Sequence, residues 1–195
     1  MMRRMSMMAV VAAAVLASVA HAQVFYKGRC PKTKIIENFD FDQYLGRWYE
    51  QERYFVAYEA IGLCWSGTYI KNYESGKVSV RLDFRDVLLK RPKKITVNII
   101  RKRPVEEPNR LTYTIPGVPL IEDNYEVLAT DYIHWTLEYT CLNKLPFGHT
   151  RIAWILTRER DPEVWVIEKA KATLAGLGID AGLLKKQVNT CFVNV

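Results

Sequence analysis

Val78-Ser79-Val80-Arg81-Leu82-Asp83-Phe84 alternates apolar and polar residues without a break. Side chains along a strand point to opposite faces in turn, so this is a strand with one buried and one wet face. A helix would place its apolar residues at three- and four-residue steps instead. Glu74-Ser75-Gly76-Lys77, just upstream, reads as a tight hairpin, with Trp65–Tyr73 before it. Downstream, Ile95, Val97 and Ile99 alternate with Thr96 and Asn98, and Leu111, Tyr113 and Ile115 with Thr112 and Thr114. Gly46–Phe55, Tyr125–Thr130, Trp135–Tyr139 and Arg151–Thr157 bring the total to about eight strands, the count of an all-β barrel or sandwich. Pro104–Asn109 and Pro116-Gly117-Val118-Pro119 punctuate the loops. Short connections between consecutive strands favour an antiparallel meander.

One late segment has helical spacing. Asp161 is placed to cap, Pro162 suits the first helical position and Glu163 suits the positive end. Val164, Ile167, Ala170, Leu174 and Leu177 then recur at helical steps, and Gly176 and Gly178 end the run. The apolar stripe of such a helix is expected on the outside of the barrel wall. A shorter helical turn is expected at Asp180–Lys186.

The chain has 195 residues, 49% of them hydrophobic and 25% charged, which suits one domain with a true core and argues against disorder. Arg3 and Arg4, the apolar run Met7–Val19 and the small-x-small triplet Ala20-His21-Ala22 read as a secretory signal over residues 1–22. That leaves a single domain over residues 23–195 and predicts an extracellular protein. Cys30, Cys64, Cys141 and Cys191 are an even set, as expected of two disulfides, with three pairings open. They are too scattered for a zinc site, and His134 and His149 read as surface or structural residues, so no metal is expected. The net charge of +7 is a mildly basic surface, and no nucleic-acid motif accompanies it.

Asn38-Phe39-Asp40 followed by Tyr44-Leu45-Gly46-Arg47-Trp48-Tyr49-Glu50 resembles the opening signature of the lipocalins. Thr130-Asp131-Tyr132 resembles the second signature of that family, and Arg158 after Trp154-Ile155-Leu156-Thr157 the third. The resemblance implies an eight-stranded antiparallel up-and-down β-barrel with one C-terminal helix outside. It also implies that Trp48 closes the barrel floor with Arg158 stacked on it, a cation–π contact of about 0.5–2 kcal/mol. Lys27-Gly28-Arg29-Cys30-Pro31, Leu128-Ala129-Thr130-Asp131-Tyr132 and Ala153-Trp154-Ile155-Leu156 are similar to the apolipoprotein D-like branch, which includes insect bilin-binding lipocalins. That branch implies the pairing Cys30–Cys141 and Cys64–Cys191.

In the lipocalin layout alternation turns Trp65, Gly67 and Tyr69 toward the cup and Ser66 and Thr68 away from it. By the same logic Tyr125, Val127 and Ala129 share a face, as do Ile152, Trp154 and Leu156. Val80, Leu82, Phe84, Val97, Ile99 and Tyr113 complete the wall. The ligand-binding set expected is Trp65, Tyr69, Phe84, Tyr113, Tyr125 and Trp154, whose rings offer flat apolar surface and, from tyrosine, a polar handle. Glu126 departs from the branch, which has an aromatic residue there.

The rim loops carry Tyr58, Ile61 and Leu63, then Val87, Leu88 and Leu89 beside Lys90, Arg91, Lys93 and Lys94. Val118, Leu120, Ile121, Leu145 and Phe147 follow in the later loops. Apolar tips flanked by cations suit contact with a membrane or lipoprotein surface. The function expected is extracellular carriage of a small hydrophobic ligand, a fatty acid, sterol, retinoid or tetrapyrrole, with no cofactor and no catalysis. The alternative is a filled barrel that acts through a protein partner.

Overall fold

The computed structural model describes residues 24–56, 59–114, 122–144 and 148–191. The expected signal segment and the rim residues Tyr58, Val118, Leu120, Ile121, Leu145 and Phe147 lie outside them, as does Ile115.

Eight strands form the barrel: β2 (Gly46–Arg53), β3 (Gly62–Lys71), β4 (Val78–Asp86), β5 (Pro92–Ile100), β6 (Arg110–Thr114), β7 (Glu122–Thr130), β8 (Trp135–Lys144) and β9 (Gly148–Thr157). Each pairs antiparallel with the next, and β9 pairs back onto β2 to close the cylinder. Closure leaves these strands no free edge of the kind that invites aggregation. Two short strands sit outside this set. β1 (Phe25–Lys27) pairs with β9 at Thr150, His149 and Gly148, and β10 (Lys185–Lys186) pairs with β2 at Arg53 and Glu52. β3 pairs with β2 only over Gly46–Tyr49, so β10 takes the edge of β2 that β3 has left.

The hairpin read at Glu74–Lys77 is present. Asn72 N–H donates to Lys77 O at 2.8 Å, and the Asn72 side chain accepts from Ser75 N at 2.8 Å. Gly76 holds φ +68°, a region where a Cβ is strained.

The helix α2 (Val164–Gly176) buries the middle of the expected stripe and departs from it at both ends. Glu163 occupies the N-cap without a side-chain cap bond, and Asp161 and Pro162 precede the helix. The buried stripe is Val166, Ala170 and Leu174, whereas Val164 is 71% exposed and Leu177 44%. Ile167 packs against the same core, to which Leu137 and Tyr139 of β8 and Ile155 of β9 belong. Burying one Leu side chain there contributes about 1.5–3 kcal/mol. Lys171 Nζ adds an ion pair to Glu52 Oε1 at 2.7 Å. The turn expected at Asp180–Lys186 is a 3₁₀ turn over Ala181–Leu183 that runs into β10.

Both disulfides have the pairing the branch implies, Cys30–Cys141 and Cys64–Cys191, with Cα atoms 5.8 and 6.1 Å apart. The first ties the N-terminal segment to β8 and the second ties the C-terminal segment to β3. Linking residues 111 and 127 positions apart removes much freedom from the unfolded chain, worth about 2–4 kcal/mol each.

Candidate functional site

The floor of the barrel is built from the three signature segments. Asp40 caps a short helix, α1 (Phe41–Tyr44), by accepting from Asp42 N at 2.9 Å and Gln43 N at 3.1 Å. Gly46 then starts β2 at φ +94°, where a Cβ would stand 3.2 Å from Arg158 Nη1. Trp48 is fully buried and donates from Nε1 to Tyr44 O at 2.9 Å. Arg158 lies across it, with Cζ 3.7 Å from the ring centroid. Its guanidinium also donates to Gln43 O, Leu45 O and Tyr132 O at 2.8, 2.9 and 2.9 Å. Thr130 Oγ1 accepts from Tyr132 N at 2.9 Å, and Asp131 Oδ1 takes the N–H groups of Ile133, His134 and Trp135. Those bonds hold the Asp131 carboxyl below the usual range despite partial burial. Tyr132 takes φ +64°, and its hydroxyl accepts from Asp40 N at 3.0 Å, locking the turn to the floor.

Above this plate the barrel encloses a cavity of about 530 Å³, within the range of small-molecule sites. Val80, Leu82, Ile95, Val97, Ile99 and Leu156 give it apolar walls. Five of the six residues expected to bind ligand line it: Trp65, Tyr69, Tyr113, Tyr125 and Trp154. Phe84 does not; it stacks behind Trp65, centroids 4.0 Å apart and planes 16° off parallel. Gly62 makes room for that stack, since a Cβ there would fall 2.5 Å from Phe84 Cδ2 and 2.8 Å from the Trp65 ring.

Ser66 was expected on the outer face and instead lines the cavity. A bulge with Cys64 at φ +56° lies just upstream, between Leu63 and Ser66, and from Ser66 the pairing with β4 runs on without interruption. Thr68 keeps its expected outward place and accepts from Arg47 Nε at 3.2 Å. Glu126 also faces out, bonded to Thr33 Oγ1 at 2.5 Å and paired with Arg110, so the departure from the branch does not touch the cup. His149 is buried outside the cavity, between Gly28 O at 2.9 Å and Arg151 Nε at 2.9 Å, while His134 pairs with Asp131.

Sequence reasoning missed the acids. Glu50, Glu59 and Glu138 all line the cavity, and none of its described lining residues is basic. Glu138 sits at the floor and accepts from Tyr44 and Tyr69 hydroxyls, each at 2.6 Å, with Tyr125 Oη 3.1 Å from Tyr69 Oη. Burial raises the Glu138 carboxyl above its ordinary value, against those two donors. Burial and the Glu138 charge push the three tyrosines well up, so their hydroxyls stay protonated. Glu50 and Glu59 share Arg53, which approaches from outside the lining: Nη1 donates to Glu50 Oε1 at 2.9 Å and Nε lies 2.8 Å from Glu59 Oε2. The second contact is close but misaligned, leaving that N–H without a hydrogen bond. Trp154 Nε1 donates to the same Glu59 oxygen at 3.3 Å. Burial raises both carboxyls, Glu59 pushes Glu50 further, and Arg53 opposes.

A signal for Glu138 existed in β8. Its apolar residues, Leu137 and Tyr139, alternate with Thr136, Glu138 and Thr140, and one set must face in. The helix covers the apolar set from outside, which turns the polar set inward.

No family model matches the chain. Apolipoprotein D of Oryctolagus cuniculus is 36% identical over 184 residues, 89% of this chain and 90% of that protein. The bilin-binding protein of Pieris brassicae is 28% identical over 161 residues, covering 74% and 75%. Among solved structures, insecticyanin from the tobacco hornworm Manduca sexta superposes with a TM-score of 0.76 at 24% identity, covering 85% of this chain and 88% of that one. The barrel, the three-part floor and the relation to apolipoprotein D together place the chain in the lipocalin family, in its apolipoprotein D-like branch.

Proposed function

We propose that the protein is an extracellular carrier that holds one small hydrophobic molecule in the cup. The observation that carries this is the cavity of about 530 Å³ with apolar walls, space that a filled barrel would not keep. Trp65, Tyr69, Tyr113, Tyr125 and Trp154 supply ring surface against the ligand, and Phe84 supports Trp65 from behind. All four cysteines are in disulfides, which suits an oxidising compartment and leaves no thiol nucleophile. Sterols, retinoids, tetrapyrroles and fatty acids are the classes of matching size. Native mass spectrometry after incubation with each in turn tests the reading: one bound molecule per chain is expected for at least one of them. Failure to take up any of them would overturn carriage in favour of a protein partner.

The rim supports a second, compatible role in docking on lipid. Leu88 is 86% exposed in the β4–β5 loop, between Val87 and Leu89, and Lys90, Arg91, Lys93 and Lys94 follow. Asp86 Oδ1 accepts from Leu88 N at 2.9 Å and Leu89 N at 2.8 Å, which holds the apolar tip outward. Each cation near an anionic leaflet adds about 1 kcal/mol. Reversing the four charges should abolish binding to phosphatidylserine vesicles, and unchanged binding would refute the docking role.

A further inference from the structure

The cup's polar floor is an array of acceptors. Tyr44 and Tyr69 each spend their single hydroxyl proton on Glu138 Oε1. Their 2.6 Å separations match the ~2.5–2.7 Å of a hydroxyl on a carboxylate. Tyr69 therefore has no proton left for Tyr125, so in the 3.1 Å contact between them Tyr125 is the donor. Thr136 Oγ1 likewise donates to Tyr44 Oη at 3.3 Å. Four hydroxyl protons are thus engaged, two of them on the Glu138 carboxyl itself. Within this cluster, what remains for a ligand is the Tyr125 oxygen lone pair and Glu138 Oε2, which takes no hydrogen bond among the described residues.

Higher in the cup the described lining adds two more acids, Glu50 and Glu59, and no base. Glu50 and Glu59 share one guanidinium that stands behind the lining, and Trp154 Nε1 is engaged by Glu59. A ligand carboxylate beside Glu138 would put two carboxyls in one low-dielectric space, so it could bind only with a proton shared between them, an arrangement that disfavours it. A hydroxyl or ammonium would give its proton to Glu138 Oε2 or to the Tyr125 oxygen.

Resting on the carrier reading, we infer that the cup selects hydrophobic molecules whose polar end is a hydrogen-bond donor, an alcohol or amine, and discriminates against carboxylates. The Glu138–Tyr69–Tyr125 cluster is the specificity-determining element.

The test is displacement of the neutral fluorophore N-phenyl-1-naphthylamine from the disulfide-bonded protein by decanol, decylamine and decanoate at neutral pH. Decanol and decylamine should compete at concentrations about tenfold below decanoate, the size of one charged hydrogen bond. A stronger effect of decylamine than decanol would assign the selectivity to charge, and equal effects would assign it to the donated hydrogen bond; either supports the inference. Decanoate binding as tightly as both overturns it while leaving carriage intact. If neither the fluorophore nor any of the three binds, carriage itself fails. Glu138→Gln keeps an oxygen for the tyrosines and turns Oε2 into an N–H donor. It should weaken decanol and decylamine about tenfold and leave decanoate unchanged or tighter. An equal change for all three would mean that Glu138 is only structural. The wild-type comparison stands without the variant.

Discussion

Replacing Arg158 by Met keeps the reach of the side chain and deletes the charge that closes the floor. The guanidinium makes hydrogen bonds of 2.8, 2.9 and 2.9 Å to Gln43 O, Leu45 O and Tyr132 O, and weaker ones to Arg47 O and Tyr44 O at 3.1 and 3.4 Å. Arg158 is half-buried, so water can reach some of the abandoned carbonyls, and about 0.5–1 kcal/mol for each of the three short bonds is appropriate. The cation–π contact on Trp48 adds about 0.5–2 kcal/mol. The expected loss is about 3 kcal/mol, which lowers Tm by roughly 6–12 °C for a domain of this size. Arg158→Lys keeps a charge near the Trp48 ring but cannot span carbonyls from two segments, and about half the loss should remain. Urea unfolding followed by circular dichroism, with the disulfides intact, measures both. A Met variant within about 0.5 kcal/mol of the native protein would refute the argument that this one side chain fastens α1, β2 and the Thr130–Tyr132 turn together.

The raised Glu50 carboxyl gives a pH prediction. The folded protein holds this proton at pH values where the unfolded chain, near its ordinary 4.5, has released it. Stability therefore falls as pH rises from 4.5 through the raised value. Glu50→Gln should flatten that slope in denaturation curves taken from acid to neutral pH, and an unchanged slope would assign it to other groups. Gly62→Ala places a methyl within 2.5 Å of Phe84 and 2.8 Å of Trp65. It should cost about 1–3 kcal/mol and alter the near-ultraviolet circular dichroism of the Trp65–Phe84 stack. Unaltered stability and spectrum would show that the stack yields freely.

Much of the barrel is legible in alternation alone. Val78–Phe84 and Ile95–Ile99 appear as adjacent strands in a register that pairs Val80 with Val97 and Leu82 with Ile95. Gly46, Trp48, Thr130, Asp131, Tyr132 and Arg158 could be named before their contacts were visible because the segments that hold them resemble the lipocalin signatures. The rest depended on contacts far apart in sequence. The Leu63–Ser66 bulge follows from Cys64 being held at φ +56° with a disulfide to Cys191 and a bond from its N–H to Val188 O. The first turn of α2 was misplaced because Val164 and Val166 are equally apolar as letters, and only the wall of β8 and β9 chooses between them.

By itself the sequence determined that the chain makes about eight half-buried strands and one outer helix, since side-chain periodicity is a local property of the backbone. It pointed to the floor only through the resemblance of the segments around Trp48 and Arg158 to the lipocalin signatures. The tertiary structure alone decided the chemistry inside the cup. A two-residue period says that the faces of β8 differ, not which one points inward. That choice was made by α2, which buries Leu137 and Tyr139 from outside and so commits Glu138 to the cavity.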